Sequence, residues 1–185
     1  IALTANSNWE LLAKQCEEFE PEVCLIADDS VYTNLKEVIS KTKLLSGKEQ
    51  LPEVASLENV DLVLNALVGF AGFDSTVAAV KANKKIALAN KESLVVGGEI
   101  IQAALKDSDS LLIPVDSEHS AMLQCLEGES EKDIEKIIIT ASGGPFHSYT
   151  KKQLKNVTVE QALDHPNWNM GAKVTIDSAT MMNKG

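Results

Sequence analysis

The sequence lacks several features that would assign it to a class at once. No apolar run approaches the roughly 20 residues of a membrane-spanning helix, and no basic segment followed by an apolar one forms a secretion signal. Positive charge is scarce, because 17 Lys and Arg stand against 27 Asp and Glu and give a formal net charge of −10. Since proteins hold nucleic-acid backbones with clustered cations, we expect neither nucleic acid nor a membrane among the partners.

The chain also lacks a paired cysteine pattern. Cys16, Cys24 and Cys125 are odd in number, have no CxxC spacing and fall in segments with helical or strand periodicity. We interpret them as reduced core side chains, which favours a reducing compartment such as the bacterial cytoplasm. Because the first residue is Ile1 and not methionine, we expect a piece of a longer protein, so the missing targeting signal decides little and a plastid location stays open.

What the sequence does contain is an alternation of helical and apolar segments up to about residue 106. Short buried strands separated by amphipathic helices are typical of a parallel sheet with crossover helices. We therefore predict an α/β fold, a Rossmann-like doubly wound parallel sheet, with the glycine-rich turn "GFAGFDS" serving either packing or ligand binding. The predicted helices are residues 9–19, 30–41, 74–82 and 92–106, and the predicted strands are residues 23–27, 60–68 and 85–89.

A second pattern begins at "LLIPVDSEHS". The predicted strands 111–115, 134–140 and 173–176 run into the polar clusters "DSEHS", "ASGGPF" and "DSATMMNKG". Strand ends that carry clustered polar groups are typical of α/β binding sites. We expect one domain over residues 1–115 and part of an α/β catalytic domain over residues 116–185.

The cluster "PVDSEHS" suggests a metal site. Asp116 and Glu118 are two residues apart at the end of an extended run, so their side chains project to the same side. Paired carboxylates with Ser117 between them suit a hard divalent cation such as Mg²⁺ or Mn²⁺. The alternative is that Ser117 caps the following helix and the acids lie in its first turn.

Three further clusters each have a structural and a functional interpretation. In "TASGGPF", Ser142 and two glycines form either an anion-binding turn or a plain turn. In "LDHPNWNMGAK", Pro166 keeps His165 out of a helix, and the neighbouring Trp168 predicts a loop with something to cover. In "ALANKESLV", residues 90–92 either cap a helix or meet a ligand at the edge of the sheet.

Together, "ALANKESLV", "PVDSEHSA", "ASGGPF" and "HPNWNMGAKVTIDSATMMNKG" resemble the 1-deoxy-D-xylulose 5-phosphate reductoisomerase family over nearly the whole chain. The resemblance implies an oxidoreductase and isomerase that needs NADPH and a divalent metal. Its substrate would be a phosphorylated ketose, 1-deoxy-D-xylulose 5-phosphate, and its product 2-C-methyl-D-erythritol 4-phosphate, in the non-mevalonate route of isoprenoid biosynthesis. The resemblance also implies a homodimer and an NADPH-binding role for the first domain.

The resemblance assigns roles to individual residues. The metal ligands would be Asp116 and Glu118. The substrate-binding residues would be Lys91, Ser117, Glu118, Ser142, His165, Ser178, Asn183 and Lys184, and the catalytic residues Lys91, Glu118, His165 and, on a mobile loop, Trp168. The cofactor-binding residues would be Asn6, Ser7, Asn8, Asn90, Glu92 and Gly171.

Two features of the family fall outside the matching residues. A glycine-rich phosphate loop on a first strand precedes them, and a third metal carboxylate and a helical domain follow them. We therefore expect these 185 residues alone to bind metal and NADPH poorly and to show little turnover. Two other interpretations stay open: a different NAD(P)-dependent oxidoreductase that needs no metal, and a non-catalytic α/β ligand-binding module in which the clusters are caps and turns.

Overall fold

The computed structural model describes residues 1–185 and divides into two compact units, Ile1–Ser120 and Ala121–Gly185. The sequence placed its boundary after residue 115. All strands belong to the first unit, whereas the second consists of helices and segments without regular structure. No helix is both long enough and apolar enough to cross a membrane.

The first unit is built on parallel strands, which confirms the predicted α/β class. The first three strands form one sheet in the order β1-β2-β3, the next three form another in the order β4-β5-β6, and each neighbouring pair is parallel. The strands are β1 (Ala2–Ala5), β2 (Val23–Ile26), β3 (Lys43–Ser46), β4 (Leu62–Asn65), β5 (Lys85–Leu88) and β6 (Leu111–Pro114). The helices are α1 (Trp9–Phe19), α2 (Tyr32–Val38), α3 (Leu51–Ala55), α4 (Phe73–Lys81), α5 (Glu92–Lys106) and α6 (Ser117–Leu126), the last of which runs into the second unit.

Helices cover both faces of the first sheet. Cys24 and Ile26 of β2 pack with α1 and α2, whereas Val23 and Leu25 pack on the opposite face with α3. Because all four residues are buried, β2 is a continuous apolar run without polar alternation. This is the pattern expected of an interior parallel strand.

The unpaired edges of β1 and β4 line a cavity of about 800 Å³. A strand that rises about 3.3 Å per residue, with about 4.8 Å between strands and about 10 Å between layers, fills about 160 Å³ per residue. The cavity therefore has the volume of roughly five strand residues. The predicted doubly wound sheet is thus interrupted between β1 and β4, and its strands are parallel on each side of the interruption.

The second unit contains the helices α7 (Lys151–Leu154), α8 (Val159–Leu163) and α9 (Ala172–Thr180). The two short helices begin at capping boxes, in which Thr150 and Thr158 each exchange hydrogen bonds with the glutamine three residues later. Such boxes satisfy the free N–H groups of a first turn, which stabilises helices of four and five residues.

Two predicted strands in the second unit are wrong. Residues 134–140 have no regular structure, and Ile137, Ile138 and Ile139 are exposed. A β-branched run forms a strand only where a neighbouring strand pairs with it, and these residues have none. Residues 173–176 lie inside α9, where Lys173 and Asp177 form an ion pair of 2.6 Å one turn apart.

Candidate functional site

The polar residues of the first unit gather where β4, β5 and β6 end. Asn65 pairs in register with Leu88, and Leu88 with Pro114, so the three strands end at one level. The residues that follow, among them Asn90 and Asp116, lie at the carboxyl edge of a parallel sheet. Open α/β sheets bind their ligands at this edge.

A buried amide network fixes the loop after β4. Asn65 donates from Nδ2 to the carbonyl of Gly72 at 2.7 Å, and Asn90 donates to the carbonyls of Leu67 and Gly69 at 2.6 and 2.9 Å. A Cβ at Gly72 would lie 2.6 Å from Oδ1 of Asn90, so only glycine fits there. The side chain of Asn90 therefore positions the loop, and its predicted contact with the cofactor stays a prediction.

Asp116 is held by two cationic or proton-donating side chains at once. Lys91 Nζ lies 2.5 Å from Oδ2, and His119 Nδ1 lies 3.0 Å from Oδ1. Lys91 comes from the end of β5 and His119 from the first turn of α6, so the contacts join two neighbouring strand ends. The side chains of Lys91 and Asp116 are only 23% and 17% exposed, which strengthens their attraction relative to a surface pair.

The surroundings of Asp116 keep it anionic. Burial alone would raise its pKa, but hydrogen bonds with Lys91, Glu118 and His119 outweigh burial and hold the pKa well below its ordinary value. Glu118 follows in the first turn of α6 and is one of the groups that lower the pKa of Asp116. Oxygen donors of this kind suit Mg²⁺ or Mn²⁺, although no group of three acidic, His or Cys side chains encloses a full metal site.

Ser117 does not cap α6 from outside. It is the first residue of the helix, and Asp116 is the residue that precedes it, with its carbonyl accepting from Ser120 N at 2.8 Å. Glu118 lies in the first turn, as the capping interpretation expected. The start of the helix and the ion pair of Asp116 with Lys91 therefore occur at the same place, and neither excludes the other.

In the second unit, three predicted substrate-binding side chains contact one another. Ser142 Oγ lies 3.2 Å from His165 Nε2 and 3.2 Å from Ser178 Oγ, and Gly144 N–H donates to Ser142 Oγ at 3.4 Å. The residues come from a glycine turn, the loop after α8 and the last turn of α9. His165 and Ser178 are buried, so the cluster is a fixed feature of this unit.

Backbone contacts decide the role of the His165 ring. The N–H groups of Asn167 and Trp168 both donate to Nδ1 at 3.2 Å. Since Nδ1 is an acceptor, the ring proton sits on Nε2 and donates to Ser142 Oγ. His165 is therefore a donor toward Ser142 and not a base that would make a nucleophile of it.

The backbone of Gly144 packs closely against the backbone of Ser178 in α9. Gly144 has a φ of +64°, and a Cβ there would lie 2.7 Å from the carbonyl oxygen of Ser178. Beyond α9, Asn183 N–H donates to Asp177 O at 3.4 Å, while its buried Oδ1 has no hydrogen-bond partner. An unpaired buried amide costs about 1–3 kcal/mol, so this group is a candidate ligand contact.

Trp168 and Gly171 lie on the loop between α8 and α9. The indole stacks on the His165 ring with centroids 5.0 Å apart, yet 58% of the residue is exposed. This confirms the loop predicted from "HPNWNMG", whereas closure over a substrate stays a prediction. Gly171 directly precedes α9, and Lys184 follows that helix, with its N–H donating to Met181 O at 3.1 Å.

The predicted cofactor residues after β1 are exposed. Asn6, Ser7 and Asn8 connect β1 to α1, and the Asn8 side chain accepts from Leu11 N at 3.1 Å to cap the helix. Glu92 begins α5, and its Oε2 lies 3.2 Å from Nδ2 of Asn90. These residues lie at strand ends of the first unit, and their role in cofactor binding stays a prediction.

Sequence reasoning missed Asn65 and His119. Asn65 is a polar residue that ends the apolar run "LVLN", and such a break indicates a buried network. His119 stands three residues after Asp116, which is the spacing of side chains on one helical face.

Two family models match the chain. The model of 1-deoxy-D-xylulose 5-phosphate reductoisomerase matches residues 1–98, and the model of the reductoisomerase C-terminal domain matches residues 112–185. The chain belongs to the 1-deoxy-D-xylulose 5-phosphate reductoisomerase family. The resemblance seen in the motifs is thereby confirmed.

Curated reductoisomerases align with the chain from end to end. The enzyme of Bacteroides thetaiotaomicron is 53% identical over 186 aligned residues, which cover 100% of this chain and 48% of the relative. The enzyme of a Geobacillus species is 51% identical over 185 residues, covering 100% and 49%. The chain therefore spans about half the length of the curated reductoisomerases it matches.

Solved reductoisomerase structures share the fold. A structure of the enzyme in complex with NADPH, fosmidomycin and magnesium is 42% identical, with a TM-score of 0.89 over 99% of this chain and 48% of that one. The Zymomonas mobilis reductoisomerase in complex with NADPH is also 42% identical, with a TM-score of 0.89 over 100% and 48%. These similarities confirm the α/β fold class.

Proposed function

We propose that a full-length enzyme carrying these residues converts 1-deoxy-D-xylulose 5-phosphate to 2-C-methyl-D-erythritol 4-phosphate with NADPH and Mg²⁺ or Mn²⁺. Family membership supports the reaction, and the NADPH and magnesium complexes of similar structures support the cofactors. The observation that carries the proposal is the partly buried ion pair of Lys91 and Asp116 at the carboxyl edge of the sheet, with Glu118 in the helical turn that follows.

In this proposal, Asp116 and Glu118 are metal ligands, and Ser117, Glu118 and Lys91 contact the substrate. A bound divalent cation supplies Lewis-acid chemistry that polarises the adjacent oxygens of an α-hydroxy ketone. The chain supplies anionic oxygens on a strand end and a first helical turn, so they are positioned before any ligand arrives. Lys91 supplies a positive charge in a partly buried setting, where it attracts an oxyanion strongly.

We propose that NADPH binds along the strand ends of the first unit, where Asn90, Glu92 and the segment after β1 lie. Asn6, Ser7 and Asn8 are uncharged hydrogen-bonding residues at that position. An acidic residue there would favour a free ribose 2′-hydroxyl and repel a 2′-phosphate. The absence of an acid from this short segment therefore supports NADPH over NADH.

We propose that the Ser142 cluster of the second unit binds the substrate phosphate. His165 and Gly144 both donate to Ser142 Oγ, so the Ser142 hydroxyl donates to Ser178 Oγ and the Ser178 hydroxyl hydrogen is left to donate onward. The chain contains no arginine, so the charged contact falls to a lysine, and Lys184 stands beside Asn183 after α9. Trp168 is proposed to cover the bound substrate and Gly171 to lie near the cofactor.

The remaining assignments follow from the family. We propose that residues 1–115 form the NADPH-binding part and residues 116–185 the metal- and substrate-binding part. We also propose a homodimer in the bacterial cytoplasm, which agrees with three free cysteines and with relatives from bacteria.

The test is an assay of a full-length enzyme that carries residues 1–185. With 1-deoxy-D-xylulose 5-phosphate, Mg²⁺ and NADPH, the absorbance of the reduced cofactor should fall, and EDTA should stop it. Asp116→Asn should lower kcat at least about a hundredfold, because the site loses an anionic ligand. Activity that resists EDTA would favour another NAD(P)-dependent oxidoreductase, and unchanged activity and metal affinity in Asp116→Asn would favour a non-catalytic role for the pair.

A further inference from the structure

Both carboxylate oxygens of Asp116 already have a partner within the first unit. Lys91 Nζ lies 2.5 Å from Oδ2, and the ring N–H of His119 donates to Oδ1 over 3.0 Å. A metal ligand must offer an oxygen with a free lone pair along the metal direction. Each oxygen keeps a second lone pair, so these contacts compete with a cation through their charge and position and not by filling the oxygens.

Charge decides which contact changes. The Lys91 ammonium lies 2.5 Å from Oδ2, which is where a metal ion bound to this oxygen would lie. The positive charges of the ammonium and of a divalent ion would repel each other strongly at such a short separation. The His119 contact is compatible with metal binding, because metal-ligating carboxylates are commonly held by a hydrogen bond to the other oxygen. The side chain of His119 is also 44% exposed, so this hydrogen bond is built without burying a charge.

The position of Lys91 suits a group that moves. It precedes the first residue of α5, and its side chain makes no capping hydrogen bond to that helix. The backbone is fixed, since the N–H groups of Leu94 and Val95 both bond to the Lys91 carbonyl. The flexible four-carbon stem alone can therefore carry the ammonium away from Asp116.

We propose that Lys91 is the exchangeable counter-ion of the carboxylate pair, and that a divalent cation gains Oδ2 of Asp116 only by displacing the Lys91 ammonium. His119 keeps Oδ1 in place throughout and is a positioning residue. The displaced ammonium is then free to meet an anionic oxygen of the substrate. This inference rests on the proposed assignment of Asp116 and Glu118 as metal ligands.

The proposal predicts opposite effects for the two partners of Asp116. Removing the charge of Lys91 removes a competitor, so Lys91→Met and Lys91→Gln should bind Mn²⁺ at least about tenfold more tightly. Removing the hydrogen bond of His119 loosens the carboxylate, so His119→Phe should bind Mn²⁺ about tenfold more weakly. Lys91→Arg keeps the positive charge beside Asp116, so it should not show the tighter Mn²⁺ binding of the uncharged variants.

The experiment measures free Mn²⁺ by electron paramagnetic resonance in titrations of a full-length enzyme carrying residues 1–185, without substrate or NADPH. Lys106→Met, at the far end of α5, is the matched control for loss of one positive charge and should leave the affinity unchanged. Unchanged or weaker Mn²⁺ binding in both uncharged Lys91 variants, with Asp116→Asn still weakening it, would overturn this proposal alone. No effect of Asp116→Asn would overturn the metal assignment and the proposal with it.

A second measurement needs no substitution. Reductive methylation followed by mass spectrometry reports how readily each lysine reacts in the unmodified enzyme. An ion-paired ammonium reacts slowly, so Lys91 should become several times more reactive when Mg²⁺ is added, while Lys106 stays constant. Equal Lys91 reactivity with and without saturating Mg²⁺ would show that the ammonium does not move, and the proposal would fail.

Discussion

The polar clusters of the two units consist of chemically different groups. In the first, a carboxylate pair is held by a lysine ammonium and an imidazole at adjacent strand ends. In the second, two serine hydroxyls and an imidazole share hydrogen bonds, with no ion pair among them. The first cluster depends on charge compensation, whereas the second depends on how closely backbone and side chains approach.

This difference determines which changes in conditions or sequence disrupt each cluster. A charged cluster changes with pH and with competing cations, because its attraction depends on ionisation. A cluster without an ion pair has little to lose to a competing cation, and it fails when its geometry is disturbed, as at Gly144 against Ser178. Four changes would break or sharpen the contrast.

The largest effect is expected at Gly144 in the second unit. A Cβ at residue 144 would lie 2.7 Å from the carbonyl oxygen of Ser178. The substitution Gly144→Ala therefore forces the turn at Gly143 and Gly144 away from α9. Gly128→Ala is the matched control, because Gly128 also has a positive φ, +83°, but has nothing within 4 Å of its Cβ position. We expect Gly144→Ala to cost about 1–3 kcal/mol more than the control in the free energy of unfolding.

Hydrogen exchange measured by mass spectrometry locates that cost. Amides of α9 should exchange faster in Gly144→Ala than in Gly128→Ala, while amides of α5 in the first unit stay the same. Equal protection of α9 in the two variants would show that the close approach of Gly144 to Ser178 does not fix the cluster.

The second effect is a pH dependence confined to the charged cluster. Asp116→Asn should lower the free energy of unfolding at pH 7 by about 2 kcal/mol, less than for a fully buried pair because both partners are partly exposed. The pKa of Asp116 is lower in the folded state, so its contribution is complete above the unfolded value of about 3.9 and is lost as pH falls through the folded value. Urea denaturation from pH 7 to pH 2 should show the variant and parent converging.

Ser142→Ala is the comparison for that pH series. Its effect, about 1 kcal/mol for a lost hydrogen bond, should stay constant from about pH 4 to pH 2, where the Asp116→Asn effect falls, if the second cluster carries no compensated charge. A Ser142→Ala effect that falls with pH as the Asp116→Asn effect does would erase the contrast between the units.

Much of the first unit could be predicted from sequence because local and tertiary signals agree there. Residues 9–19 and 92–106 form the helices that were predicted, since each carries an apolar stripe that packs on a sheet. The strands at 23–27 and 85–89 are also confirmed, each one residue shorter in the structure. The edge strands β1 and β3 were missed because their residues are only partly buried and give a weaker apolar signal.

The second unit was predicted poorly because its signals conflict. The run "KIIIT" has strong strand propensity, but a strand needs a neighbour and none pairs with it in these residues. "AKVTID" looked like a strand from its β-branched residues, and an ion pair one turn apart and a preceding glycine favour the helix instead. The site residues were found through family motifs and not through secondary structure, so these errors did not affect them.

A third prediction concerns the proton on His165. The N–H groups of Asn167 and Trp168 hold Nδ1 as an acceptor, so the ring should keep its proton on Nε2 even when Ser142→Ala removes the Nε2 partner. Nitrogen-15 chemical shifts of the ring report which nitrogen carries the proton. A proton found on Nδ1 in the parent would contradict the donor role of His165 and weaken the case for a neutral phosphate-binding cluster.

The smallest expected effect is a difference in the reactivity of the cysteine thiols of the two units. Burial raises the pKa of Cys24 to about 12, and burial also raises the pKa of Cys16, so neither forms the reactive thiolate near pH 8. Cys125 in the second unit is exposed, so the interpretation of this cysteine as a core side chain is wrong. Among these three thiols, an aromatic disulfide reagent should modify only Cys125 at pH 8 in the native state and all three in denaturant, as read by peptide mass spectrometry. Modification of Cys24 at a rate close to that of Cys125 would mean that the sheet of β1, β2 and β3 opens in the native state and that burial does not protect its thiol.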